Sequence, residues 1–135
     1  MVQETAVSVL IDFDLVHDVL TARMVLEKAS KFGKIIKARV YVEQSEINAH
    51  REGLFEMSKL GIEPVVTMLA KDVRFAIDLL DDAYNDKITH IIVVHNKESI
   101  LPALMYAKTL KKIIVISPER VPKSYEAVVE EIITI

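Results

Sequence analysis

The stretch VSVLIDFD, residues 7–14, decides the fold. Its first part is a short apolar run rich in β-branched residues, and two aspartates, Asp12 and Asp14, follow directly. Such a run predicts a strand that is covered on both faces, which is typical of parallel sheets with helices on each side. Comparable runs recur at residues 35–42, 64–68, 91–94 and 113–116.

Stretches with helical periodicity occupy the intervals between these runs, at residues 17–32, 46–60, 73–84 and 100–110. Gly33 and Gly61 follow the first two and are natural helix terminators. A short fifth segment at 125–131 leads into a last edge strand at 132–135. This alternation predicts an α/β fold with three α/β/α layers around a mostly parallel sheet. Because no linker or repeat interrupts the pattern, we expect residues 1–135 to form a single domain.

The composition excludes several classes of protein. The chain has no cysteine, which excludes a disulfide scaffold, a thiolate nucleophile and a zinc–thiolate site. Its net charge of −3 provides no strong field to attract nucleic acid. The Rossmann, P-loop and nucleophile-elbow glycine motifs are absent from the sequence. No apolar run approaches the roughly 18 residues of a membrane span, and we expect a cytoplasmic protein that does not bind membranes.

An apolar fraction of 51% is high for a chain of this size. The predicted last strand, IITI, would also be an unprotected apolar edge. These two features predict a homodimer in which either this edge or a pair of helices is covered.

Polar residues at strand ends are the candidates for chemistry, because ligands of open parallel sheets bind beyond the carboxyl ends of the strands. Asp12 ends the first predicted strand and Asp72 stands at the expected start of the third helix. If both lie at one sheet edge, they form an oxygen-rich site for Mg²⁺ or Mn²⁺, which could activate water against a phosphodiester. Two alternatives stay open, since Asp72 could serve only as a helix N-cap and Asp12 only as a turn cap.

Other polar residues carry weaker expectations. His95 could contact phosphate or metal, or be a hydrogen-bonded structural residue, and Lys97 could bind a phosphate. Asp81 and Asp82 are expected on a solvated helix face. No metal-ligand spacing joins the remaining histidines, so no chemistry is assigned to them: they are His17, His50 and His90.

Four stretches resemble the NYN family, a branch of the PIN-like nuclease superfamily. VSVLIDFDLV is similar to the family's first strand and aspartate, and KDVRFAID to its helix-opening K-x-x-D-V-x-L-A-V-D pattern. THIIVVHNKESILPAL stands where the family has a strand, S-G-D-S-D-F and a helix, and SYEAVVEEIITI resembles the closing helix and strand.

The resemblance implies a PIN-like fold and cleavage of RNA by carboxylates that hold Mg²⁺ or Mn²⁺. It places Asp12 and Asp72 as catalytic residues, and both of them with Asp78 as metal ligands. It also implies a set of residues that line the site or contact single-stranded RNA: Asp14, His95, Asn96, Lys97, Glu98 and Ser99.

Departures from the family pattern define the competing hypotheses. Lys97 and Ser99 stand where the family has two aspartates, and Leu15 or Asp14 where it has an asparagine. The Lys97 ammonium could therefore replace the metal, which predicts a degenerate, weakly active or inactive relative that binds RNA or a protein partner. An active metal-dependent endoribonuclease is the alternative. A phosphoacceptor or small-ligand flavodoxin-like module is a third possibility, although the middle strand lacks the phosphoacceptor aspartate.

Overall fold

The computed structural model describes residues 4–135 and contains a six-stranded sheet with four α-helices. The strands are β1 (Ala6–Asp12), β2 (Lys34–Glu43), β3 (Glu63–Thr67), β4 (His90–Val94), β5 (Lys112–Ser117) and β6 (Glu131–Thr134). The α-helices are α1 (Val19–Ala29), α2 (Ile47–Lys59), α3 (Lys71–Ala83) and α4 (Leu101–Ala107).

The sheet is parallel throughout, with strand order β3-β2-β1-β4-β5-β6. From β1 the chain builds outward through β2 to the β3 edge. It then returns through α3 to the other side of β1 and continues to β6. The strand order therefore reverses between β1 and β4, and the loops that leave these two strands diverge. In open α/β sheets this switch point is where ligands bind.

Two apolar clusters, one on each face of the sheet, make the three layers. On one face, Val25 of α1 and Met57 of α2 pack against residues such as Val9 of β1. On the other face, Phe75 of α3 and Leu104 of α4 pack against residues such as Val93 of β4. The predicted α/β/α architecture is confirmed, and the strands match the predicted runs to within one residue at most ends.

The last two segments of the chain differ in detail from their predicted forms. The fifth helical segment is a 3₁₀ stretch at Lys123–Ala127, and β6 follows it as the predicted edge strand. The edge is better covered than expected, since Ile132 and Ile133 are partly buried and pack against opposite clusters. No helix among residues 4–135 combines the length and the apolarity needed to cross a bilayer.

A buried ion-pair network fixes α3 on the sheet, and it corrects the expectation for Asp82. This side chain is fully buried rather than solvated. It accepts hydrogen bonds from Ser8 of β1 and Arg39 of β2, and Lys37 lies 3.5 Å away. Asp81, its neighbour in sequence, is exposed as expected. Because buried carboxylates require compensating donors, these contacts determine how α3 sits on β1 and β2.

Candidate functional site

Three segments meet at the switch point and bring together residues that lie far apart in the sequence. Asp12 is the last residue of β1, Asp72 is in the first turn of α3, and His95 directly follows β4. One potential ligand atom from each of these residues lies within 4.8 Å of the others. The predicted convergence of Asp12 and Asp72 at one sheet edge is therefore present, and a cluster with this spacing could hold a metal ion.

A lysine ammonium lies among these acids. The Nζ atom of Lys71 is 2.9 Å from Oδ1 of Asp12 and 2.8 Å from Oδ1 of Asp14. The Lys71 and Asp12 side chains are only 4% and 1% exposed, respectively. Such a pair is stable only because each charge compensates the burial of the other. Lys71 therefore neutralises Asp12 inside the cluster whose spacing could hold a metal ion.

The sequence suggested that the Lys97 ammonium would occupy the position of the metal, but Lys97 lies at the rim of the site. Its Nζ lies 3.0 Å from Oδ2 of Asp14, and its side chain is 46% exposed. Asp14 thus bridges two ammonium groups, one buried and one at the surface. The ammonium buried against Asp12 is therefore that of Lys71, and Lys97, which the sequence singled out, lies at the rim and contacts Asp14.

His95 and Ser99 occupy both oxygens of Asp72. His95 Nε2 is 2.9 Å from Oδ1 of Asp72, and the Ser99 hydroxyl donates to Oδ2 at 2.7 Å. The backbone N–H of Lys97 donates to His95 Nδ1 at 3.1 Å, so Nδ1 is an acceptor. A neutral imidazole with one accepting nitrogen carries its proton on the other. The hydrogen-bond network therefore makes His95 Nε2 a donor to Asp72.

The alternative in which Asp72 is the N-cap of α3 is wrong. Ala70 is the N-cap residue, and Asp72 lies two residues inside the helix. Ala70 has φ 55° and ψ 50°, and it is the one non-glycine residue with positive φ among residues 4–135. The left-handed conformation costs an L-residue about 1 kcal/mol, and such strain collects at functional sites. Here it turns the chain so that Lys71 and Asp72 both reach the switch point.

The pKa shifts follow from these contacts. Burial alone would raise the pKa of Asp72, but the Ser99 hydroxyl and His95 hold it below its ordinary value. Burial would likewise raise the pKa of Asp14, and Lys71 and Lys97 together lower it. The pKa of Lys71 is raised, because Asp14 and Asp12 outweigh the opposing effect of burial. Asp14, Asp72 and Lys71 therefore all carry their charge at neutral pH.

The remaining predicted site residues lie around this core or away from it. Asn96 is half-buried beside His95, and Glu98 Oε2 accepts from the Ser124 hydroxyl at 3.2 Å. Asp78 is not part of the Asp12–Asp72–His95 cluster. Its oxygens accept from the Tyr41 hydroxyl at 2.7 Å and from Arg74 Nε at 3.1 Å, which ties α3 to β2. We therefore interpret Asp78 as a structural residue.

The donor set does not fit a divalent ion, although its spacing does. Asp12 Oδ1 faces Lys71 and also accepts the backbone N–H of Asp14 at 3.1 Å. Both oxygens of Asp72 accept hydrogen bonds, and His95 presents a protonated nitrogen. Asp12 Oδ2 is the one carboxylate oxygen of this cluster without a hydrogen-bond donor. Mg²⁺ and Mn²⁺ need several oxygen ligands near their double charge, and here the Lys71 ammonium already compensates the charge of Asp12.

The sequence reasoning did not identify Lys71 as a residue of the candidate site. Lys71 opens α3, and a cation in the first turn of a helix opposes the helix dipole. A lysine at such a position indicates a specific acidic partner. That signal was present in the sequence, whereas the identity of the partner, Asp12, depends on the sheet order.

Comparisons with known proteins agree with this fold. The family model of the NYN domain matches residues 6–135. The uncharacterized protein MJ0482 of Methanocaldococcus jannaschii is 33% identical over 110 residues, which are 81% of this chain and 41% of the relative. The chain thus spans less than half of that relative. A Vibrio parahaemolyticus protein of unknown function, VPA0982, has a crystal structure similar to this one, with a TM-score of 0.81 and 16% identity over 100% of this chain and 96% of that one.

Proposed function

This chain belongs to the NYN domain family, a family of PIN-like nucleases, and from that premise we propose that it is a non-hydrolytic member that binds single-stranded RNA. The observation that carries the proposal is the Lys71 ammonium, buried between Asp12 and Asp14. In this proposal Lys71 replaces the metal ion of the active relatives. The domain then keeps the shape of the nuclease site but lacks the cation that would activate water.

The surface of the site supports binding of a phosphate backbone. Lys97 projects at the rim and Ser99 is exposed beside it, at positions where the family pattern has aspartates. Exchange of acids for an ammonium and a hydroxyl removes repulsion toward phosphate and adds a charge-assisted donor. Asp14 competes for Lys97, so we expect weak binding with strong dependence on salt.

An active Mg²⁺- or Mn²⁺-dependent endoribonuclease is the second candidate. The observation that favours it is Asp12 Oδ2, a buried oxygen without a donor that lies 3.5 Å from His95 Nε2. Asp72 would need to exchange its His95 and Ser99 partners for the ion, and Lys71 would need to move away. If the site is rebuilt in this way, Asp12 and Asp72 are the catalytic residues.

Incubation with labelled single-stranded RNA separates these two functions. We expect binding in fluorescence anisotropy and no cleavage with either Mg²⁺ or Mn²⁺. Lys97→Gln should weaken binding and reduce the slope of log affinity against log salt by about 0.7, the contribution of one contact to a single strand. Lys59→Gln is the matched control, because Lys59 is an exposed cation in the last turn of α2.

Cleavage that requires Mn²⁺ or Mg²⁺ and disappears in Asp12→Asn would establish the active enzyme. Absence of RNA binding by the unaltered protein would remove RNA from the proposal. In that case an interaction module for a protein partner would be left, as the sequence also suggested.

We further propose that the protein is a cytoplasmic homodimer in which a pair of helices is covered. Exposed apolar side chains are concentrated on the β3–α3 side, including Leu69, Val73 and Ile77. Two copies of α3 that pack through Val73 and Ile77 would shield this surface from water. Light scattering at micromolar concentration should give about twice 15.3 kDa, and Ile77→Glu should return the mass to that of a monomer. A monomeric unaltered protein would contradict the dimer.

A further inference from the structure

A cleft beside the lysine-held site brings together two histidines to which the sequence assigned no chemistry. Its volume is about 360 Å³, and Phe13, Asp14, His17, Glu46 and His50 line it. His17 lies in the loop that follows β1, and His50 lies in the first half of α2. Asp14 is common to the cleft and to the ion pair with Lys97, so the two sites adjoin.

The imidazole rings of His17 and His50 both pack edge-on against the ring of Phe13. Phe13 is buried, and both imidazoles meet its ring edge-on, His50 at 5.0 Å and 73° and His17 at 6.1 Å and 64°. The centroids of the two imidazoles are 6.4 Å apart, with 56° between their planes. Because stacked bases lie about 3.4 Å apart, a base between two rings needs roughly 7 Å. Stacking of a base against both rings therefore requires one imidazole to rotate and to move slightly outward.

The backbone is distorted where it forms this cleft. His50 has φ −128° and ψ 21°, which kinks α2 and separates it into two helical parts. Three residues later, a Cβ on Gly53 would lie 3.4 Å from the carbonyl oxygen of His17, so α2 approaches the loop closely. Irregular turns inside helices often mark functional positions. Within residues 4–135 neither imidazole makes a hydrogen bond to the protein, and both are free to contact a ligand.

We propose that this cleft binds one base of a single-stranded RNA, stacked between His17 and His50, while the adjoining phosphate contacts Lys97. The inference rests on the proposed function and adds the place at which the chain recognises a base. Stacking on aromatic side chains is a sequence-tolerant way to bind single strands, since every base has a π-face.

The polar lining of the cleft offers a hydrogen-bond acceptor to a bound base. Glu46 offers carboxylate oxygens, which accept hydrogen bonds and donate none, whereas both oxygens of Asp14 already face Lys71 and Lys97. Adenine, cytosine and guanine present an exocyclic amino group as donor and uracil presents its N3–H, so each base can donate to the Glu46 carboxylate. The hydrogen bond to Glu46 therefore adds affinity without selecting strongly among the bases.

Titration with nucleosides tests the cleft without any phosphate and therefore without Lys97. Adenosine and cytidine should shift the ring-proton NMR signals of His17 and His50. The His90 signals are an internal reference and should not move, because His90 begins β4 at the opposite end of the sheet. His17→Ala and His50→Ala should each weaken adenosine binding about fivefold, the lower end of the range for base stacking. His50→Phe should retain binding, because a phenyl ring also stacks.

Two results overturn the inference. One is that adenosine does not shift the NMR signals of His17 and His50, and the other is that the His50→Phe variant binds adenosine as weakly as the His50→Ala variant. RNA binding that depends on Lys97 but not on the two histidines would overturn the base site and leave the proposed function standing. Adenosine bound in the cleft by a protein that binds no RNA would instead overturn the proposed function.

Discussion

Lys71→Ala is expected to lower the free energy of unfolding by about 3 kcal/mol, because it leaves Asp12 as a buried carboxylate without its counter-charge. Lys71 and Asp12 are both almost fully buried, so solvent screens their interaction little. For a chain of this length the loss corresponds to a fall in melting temperature of roughly 10 °C. Chemical denaturation monitored by circular dichroism measures it.

The same variant tests whether the ammonium replaces a metal. Without Lys71, three carboxylates meet at the switch point, and Mn²⁺ should stabilise the variant by about 2.7 kcal/mol at a hundredfold excess over its dissociation constant. The unaltered protein should melt at the same temperature with and without Mn²⁺. Lys59→Ala, which removes an exposed ion pair with Glu56, should change stability by less than about 1 kcal/mol. Equal stabilisation of both proteins by Mn²⁺ would contradict the replacement.

Asp82→Asn should destabilise the fold by a similar amount, about 3 kcal/mol. The substitution keeps the volume of the side chain but removes the charge that compensates Arg39, which is only 11% exposed. It also leaves Ser8 without the carboxylate to which its hydroxyl donates at 2.5 Å. The expected result is a lower urea midpoint with an unchanged slope, since the folded and unfolded states keep their extents of burial.

Asp81→Asn is the matched control, because it makes the same chemical change one residue earlier on the exposed face of α3. Its effect should stay within about 0.5 kcal/mol. If both variants lose the same stability, the buried network does not hold α3 on the sheet.

The fold could be predicted because the relevant signals are local. Short apolar runs such as residues 91–94 indicate buried strands wherever they occur, and β4 indeed covers His90–Val94. The meeting of Asp12 and Asp72 followed from one general rule about the carboxyl ends of parallel strands. The expectation was conditional on both residues lying at one sheet edge, and the strand order provides that placement.

The charged residues inside α3 could have been found from the helical period. Lys71, Phe75, Leu79 and Asp82 are spaced four, four and three residues apart, which places all of them on the stripe that faces the sheet. Reading charge as a sign of exposure led to the wrong expectation for Asp82. A charged residue on an apolar stripe predicts a buried partner.

The cleft between His17 and His50 could not have been predicted in this way. The two histidines are on different elements, and their approach depends on the kink in α2 and on the close contact at Gly53. Neither feature has a sequence signal as clear as an apolar run. Asp78 is the converse case, since a family pattern singled it out while its contacts with Tyr41 and Arg74 are those of a structural side chain.

Ala70, which has a left-handed backbone conformation, directly precedes Lys71. The counter-charge of Asp12 is therefore part of the polypeptide itself. A divalent ion is in exchange with the medium, so its occupancy follows its free concentration and any chelator present. The Lys71 ammonium is covalently attached one residue after this turn, so its local concentration beside Asp12 is set by chain geometry alone. If Lys71 replaces the metal as proposed, the charge balance of Asp12 does not vary with the supply of magnesium or manganese.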